Sequence, residues 1–293
     1  MAVQVVDVDV ECSMILVIGG TGNVGSHAVR ELVAKGAAVR AFSRDANKAG
    51  ALGPDVEAVE GDLDRPETVA PAFDGVDKVF VVAGGGNIPA EEANLIDEAE
   101  KAGVTHMVLL SSLGVDHGVA SGPMHGPGEA RLRSSTLPWT ILRPSVFMSN
   151  ALMWGDTIRA QGVFYEPTGT GSHAMIHPGD VGAVAAEMLT STGHEGRTYE
   201  LTGPEAISAD QCAASLAAVL GVDVRHVDVP DEAFRDGLSK AGLPPMLVDS
   251  LARYYAMVKA GEFAMVTSTV QEILGRPGRT FAEWAGENRA AFA

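Results

Sequence analysis

The chain has 293 residues, 46% of them hydrophobic, with 38 acidic against 21 basic side chains and a net charge of −17. That length can bury a sizeable core, and the composition is that of an ordinary soluble globular protein. The acidic balance excludes nucleic acid and anionic membrane as direct partners, since both demand clustered Lys and Arg, and no apolar run reaches membrane-spanning length.

Residues 1–13 carry Asp7, Asp9 and Glu11 without a basic residue, so they read as an N-terminal extension and not as a signal peptide. Cys12 and Cys212 stand outside any metal or redox spacing, which fits a reducing, cytoplasmic setting. A short apolar strand at 14–18 then runs into Gly19-Gly20-Thr21-Gly22-Asn23-Val24-Gly25, followed by helical periodicity over 26–33. Gly19 allows a tight turn, Gly22 lets a pyrophosphate approach the backbone, and Gly25 lets the helix pack on the strand. Free N–H groups at the helix N-terminus complete a phosphate cradle made of Gly19, Thr21, Gly22, Asn23, Val24 and Gly25.

A second strand, 38–42, ends where an acidic residue would hold the ribose 2′-hydroxyl of NAD. Here the residues are Ser43 and Arg44, with Lys48 one turn on. A guanidinium clamps a 2′-phosphate bidentately, so NADP is chosen, with NADPH preferred over NADH. Asp45 is read as the cap of the next short helix.

The alternation continues with a strand at 56–60 leading to Asp62 and Leu63, and a helix at 66–73. A buried strand at 77–82 then leads to Ala83, Gly84 and Gly85, and a helix spans 90–102. A strand at 106–110 leads to Ser111 and Ser112, a helix is placed at 127–135, and the sixth strand occupies 139–144. This pattern defines an α/β fold, a Rossmann-type doubly wound parallel sheet whose ligands bind outside the carboxyl ends of the strands. Beyond it the reading expects a helix over 147–160, a helix opened by Asp180 as N-cap, and a strand at 198–201. A helix at 208–220 capped by Ser208, a strand at 224–229 and a mostly helical remainder follow. The organisation expected is a 14–146 NADP-binding core and a smaller mixed α/β substrate lobe over 147–293, partly interleaved with it.

The glycine motif, Ser43-Arg44-Asp45, Gly61-Asp62-Leu63, Leu109-Leu110-Ser111-Ser112 and Trp139-Thr140-Ile141-Leu142-Arg143-Pro144 with Phe147-Met148-x-Asn150 resemble the NmrA-like branch of the atypical short-chain dehydrogenase/reductases. Leu201-Thr202-Gly203-Pro204-Glu205, Leu274-Gly275-Arg276-Pro277 and Arg279-Thr280-Phe281 extend the resemblance over nearly the whole chain from Met14. It implies either an NADPH-dependent quinone, azo-dye or triphenylmethane-dye reductase or an NADP-sensing regulator without turnover. A tailoring enzyme of secondary metabolism is a third alternative. It also implies that the Asp62 position contacts the adenine and that the end of the fourth strand passes along the ribose.

The wider superfamily's Tyr-x-x-x-Lys dyad cannot be built, because no tyrosine precedes Tyr165 and no lysine lies between Lys101 and Lys240. Aligned on Glu129, the dyad positions hold Ser121 and His125, and the usual Ser/Thr position holds Leu113. Without a strong acid the chemistry favours flat, conjugated acceptors, which need positioning against a nicotinamide more than protonation. His125 is the candidate catalytic residue, as proton donor or ribose contact, within a Gly-Pro-rich stretch read as a loop. Glu129 is read as outward-facing or paired with Arg131 or Arg133, and Arg143 as a structural anchor. An apolar substrate pocket is expected from Ser112, Phe147, Met148, Asn150, Trp154 and Phe164, closed by Tyr254, Tyr255 and Phe263. His173 and His177 are four apart, but the surrounding Gly and Pro argue against a helix, so no metal site is assigned. The expected partner is a small conjugated molecule, and the chain is read as a monomer or homodimer.

Overall fold

The computed structural model describes residues 13–119 and 121–293, so the N-terminal extension and Cys12 lie outside the described residues apart from Ser13. Its first half runs β1 (Met14–Ile18), α1 (Gly25–Ala34), β2 (Ala38–Ser43), α2 (Ala46–Gly50), β3 (Val56–Glu60), β4 (Lys78–Val81), α3 (Ile88–Ala102), β5 (His106–Leu110), α4 (Gly122–Arg133) and β6 (Trp139–Pro144). The second half adds α5 (Gly155–Gln161), β7 (Val163–Glu166), β8 (Ser172–His173), α6 (Pro178–Thr190), β9 (Arg197–Leu201), β10 (Ile207–Ser208), α7 (Ala209–Leu220) and β11 (Arg225–Asp228). Four helices close the chain: α8 (Asp231–Lys240), α9 (Pro245–Lys259), α10 (Thr269–Leu274) and α11 (Phe281–Glu287).

Seven strands form one sheet in the order β3-β2-β1-β4-β5-β6-β9, and every neighbouring pair is parallel. Strand order reverses between β1 and β4, which opens a crevice at the carboxyl ends of those two strands. The strands read as continuous apolar runs because both faces are covered. One face packs Val29, Leu32 and Phe80 against Val184 and Met188 of α6, while the other packs Leu16, Val79 and Leu109 against Leu95 and Leu132. The seventh strand comes from beyond residue 147, so the second half of the chain is woven into the main sheet as well as lying over its edge. A third cluster, centred on Phe164, Leu216, Phe281 and Trp284, forms the core of the remaining part.

Local boundaries differ from the sequence reading where proline and buried polar groups intervene. Residues 66–73 form two short 3₁₀ turns, Pro66–Thr68 and Ala70–Phe73, since Pro66 and Pro71 each remove an N–H. Over 147–160 a 3₁₀ segment at Met148–Trp154 precedes α5. The loop expected around His125 is instead the opening of α4, which begins at Gly122 and carries Pro127 internally. His177, not Asp180, caps α6, accepting from the Gly179 N–H. Asp180 is buried one turn in, where it accepts from Arg276 Nη2 at 2.9 Å and the Arg279 N–H at 2.7 Å.

Candidate active site

The chain reverses after β1 through Gly19, whose φ of 69° places it in the left-handed region. The Gly22 N–H donates to the Gly19 carbonyl at 2.9 Å, and α1 starts three residues later. A Cβ at Gly25 would fall on the Gly19 carbonyl oxygen, so only glycine lets the helix rise this close to its strand. No side chain caps the N-terminus of α1, which leaves its dipole and first-turn amides to an anion.

Beside this turn lies a cavity of about 300 Å³. Gly19, Thr21 and Gly22 form its floor, and Ser43, Arg44 and Lys48 border it from β2 and α2. Asp62 and Leu63 come from the end of β3, and Gly84 and Gly85 from beyond β4. Ser43 is buried and lies with its Oγ 3.1 Å from Thr21 Oγ1, tying the two strand ends together. Glu91 of α3 braces the third wall by accepting the Gly85 and Asn87 N–H groups at 3.1 and 3.0 Å. Asp45 does cap α2, accepting from the Asn47 and Lys48 N–H groups. That leaves Arg44 and Lys48 exposed at the rim with no ion pair among the described residues. A glycine cradle that any Cβ would fill, an uncapped helix end and two unpaired cations are a donor set that fits a dinucleotide carrying a third phosphate.

A second cavity of about 520 Å³ also touches Val82, so the two meet at the end of β4. Asn23, Val24, Ala83, Ser111, Ser112, His125, Phe147 and Asn150 line it, as do Tyr254, Tyr255 and Phe263. Sequence reasoning missed Leu247 and Leu251 of α9, whose spacing with Tyr254 and Val258 is an i, i+4, i+7, i+11 apolar stripe. Gly25 lines neither cavity and acts through packing. Met148, Trp154 and Phe164 also stand apart, as a correction to the pocket expected for them. They are buried in the third core cluster, where Trp154 and Phe164 stack with centroids 4.0 Å apart. The 3₁₀ segment after Phe147 turns Met148 and Trp154 away from the cavity, and Phe164 joins them from β7.

The polar groups of this cavity come in tied sets. Glu129 is buried instead of facing outward, and it does pair with Arg133, whose Nη2 lies 3.3 Å from Oε2. It accepts from Arg143 Nε and Nη2 at 2.8 and 2.7 Å and from Ser111 Oγ at 2.5 Å. Burial works against its charge, yet the bonds from Arg143 and Ser111 outweigh it and hold the Glu129 carboxyl below the usual range. Arg143 also holds Asp116, and His117 packs on Phe263 with centroids 5.0 Å apart. Tyr254 O–H lies 2.8 Å from His173 Nδ1, and Tyr255 donates to Glu166 at 2.8 Å. Burial pushes both phenols up, so neither supplies a proton readily. His125 on α4 is the remaining titratable side chain lining the cavity, and its Nδ1 lies 2.8 Å from Glu92 Oε1 of α3.

A parallel sheet with a glycine turn at its switch point, a phosphate-sized cradle and an adjoining apolar chamber define a dinucleotide-binding α/β protein. The chain belongs to the NAD(P)H-binding family, whose profile matches residues 19–192. It is 40% identical over 285 residues to the NAD(P)H azoreductase of Xenophilus azovorans, covering 95% of this chain and 99% of that one. It is 38% identical over 283 residues to the (4-alkanoyl-5-oxo-2,5-dihydrofuran-3-yl)methyl phosphate reductase of Streptomyces griseus, covering 96% and 99%. Among solved structures, the NADPH complex of a quinone oxidoreductase from Escherichia coli superposes with a TM-score of 0.84. That protein is 28% identical, and the match covers 94% of this chain and all of that one.

Proposed function

We propose that the protein is an NADPH-dependent reductase that passes a hydride to a small, flat, conjugated acceptor of the quinone or azo type. The observation that carries this reading is that a cation-rimmed phosphate cradle and an apolar chamber share Val82 as a common wall. The named azoreductase and quinone oxidoreductase relatives support it. Bound NADPH supplies the hydride, and the chain's residues supply position. Arg44 and Lys48 hold the 2′-phosphate, the α1 N-terminus holds the pyrophosphate, and Asp62 with Leu63 flanks the adenine. Residues 14–146 thus seat the cofactor, while Phe147, Asn150 and the α9 side chains from 147–293 press the acceptor against it. The chamber has no tyrosine free to act as acid, which favours acceptors whose reduced form is a stabilised anion.

The direct test mixes purified protein with NADPH and a panel of quinones, azo compounds and enones while following the reduced-nicotinamide absorbance. Acceptor-dependent oxidation is expected, fastest with quinones. Tight NADPH binding with no oxidation by any acceptor would overturn the reading in favour of a cofactor sensor.

A further inference from the structure

Glu92 has no role in holding the fold that its surroundings explain. It is fully buried on α3, and its Oε2 has no hydrogen-bond partner among the described residues. A carboxylate placed so is costly unless something gains from its charge. Among the described residues, its carboxylate bonds to His125 Nδ1, on the neighbouring helix. The contact depends on Gly128, one turn beyond His125, because a Cβ there would fall on the Glu92 carboxylate. The structure therefore contains a made-to-fit approach of a buried carboxylate to the one imidazole that lines the acceptor chamber.

We propose that Glu92 is the positioning residue that turns His125 into the proton donor of this site, fixing Nδ1–H toward its own Oε1 and leaving Nε2 to the chamber. This rests on the reductase reading above. A carboxylate at that distance accepts from Nδ1–H and so fixes the orientation of the ring. As the acceptor takes up the hydride with its two electrons, the Nε2–H bond of His125 breaks and an O–H or N–H bond forms on the acceptor. One hydride and one proton are thereby delivered, and the imidazole regains its proton from solvent at the chamber mouth. The other charges facing Glu92 are acidic: Glu91 on its own helix and Glu129 on α4, the latter neutralised by Arg143. Burial first, and these neighbours after it, raise the Glu92 pKa against the pull of His125.

The test measures kcat and KM across pH for quinone reduction by the wild type, E92Q, H125N and the double variant. Loss of a general acid should lower kcat about 100-fold in H125N with little change in KM. E92Q keeps the shape but removes the charge, so kcat should fall about tenfold at and above neutral pH, with the optimum displaced to lower pH. Acting through His125, Glu92→Gln should cost nothing further in the H125N background, whereas a merely structural role would multiply the two losses. Gly128→Ala, which drives a methyl group into the carboxylate from the other side, should displace the pH profile in the same direction. Multiplied losses, or an E92Q profile that superimposes on the wild type, would overturn the pairing while leaving the reductase reading intact. Absence of acceptor-dependent turnover in the wild type itself would overturn both.

Discussion

Arg44 stands where a carboxylate would select NAD, and in the proposed function it carries the cofactor choice together with Lys48. It has no ion-pair partner among the described residues, whereas Asp45 beside it is spent on two backbone amides of α2. Arg44→Asp should therefore weaken NADPH binding by about 30-fold or more, the value of a charge-assisted bond to phosphate, with NADH affected less than threefold. Titration of each nucleotide by fluorescence separates the two, and an equal loss for both would remove the 2′-phosphate from Arg44. At this scale the sequence was legible wherever a residue's role follows from its neighbours along the chain. Asp45 as a cap and Gly25 as a close-packing glycine are of that kind. Glu92 and the burial of Glu129 were not legible, because an acidic residue on a helix reads as solvated until the facing helix is known. Only the approach of α4 to α3 reveals Glu92 beside His125, and only β6 brings Arg143 to Glu129.

Among the elements, α9 is attached through a titrating group. Its Tyr255 donates to Glu166 at the end of β7, and Tyr254 beside it meets His173 of β8. Burial, the dominant influence, pushes Glu166 up to about 7, although Tyr255 and His226 pull the other way. Its folded-state pKa is thus above the unfolded value of 4.5, so its contribution to stability is complete below 4.5 and is lost as pH rises toward about 7. That loss amounts to about 3 kcal/mol for a group this buried. Measured by thermal unfolding, the wild type should fall relative to Glu166→Gln between pH 5 and 7, then run parallel above it. A constant difference between the two across that range would contradict the assignment. The same scale shows why helix limits escaped the sequence. Proline inside α4 argued for a loop, yet packing against α3 holds the helix through Pro127. Conversely, nothing in the periodicity of 147–154 distinguishes a 3₁₀ segment from an α-helix, and that distinction alone sent Trp154 into the core.

For the molecule as a whole, strand alternation made the sheet legible, since each apolar run met a turn and a helix on schedule and the glycine motif fixed the first crossover. What alternation does not encode is that β9, far along the chain, completes the sheet beside β6. Charge is the other global property, and it bears on which acceptors enter. The chain carries a net −17, and no Lys or Arg lines the larger cavity. Arg143 close by is already bonded to Glu129 and Asp116. An acceptor bearing a sulfonate would thus enter an acidic field and surrender hydration with no cation to replace it. A neutral quinone should outperform its sulfonated counterpart by about tenfold or more in kcat/KM at low ionic strength. The part of that gap due to the long-range field should narrow with added salt, because charges farther apart than about 10 Å are screened at 0.1 M. The part due to desolvation inside the chamber should persist. Equal kcat/KM for the two compounds at every salt concentration would mean that the acceptor binds outside this chamber.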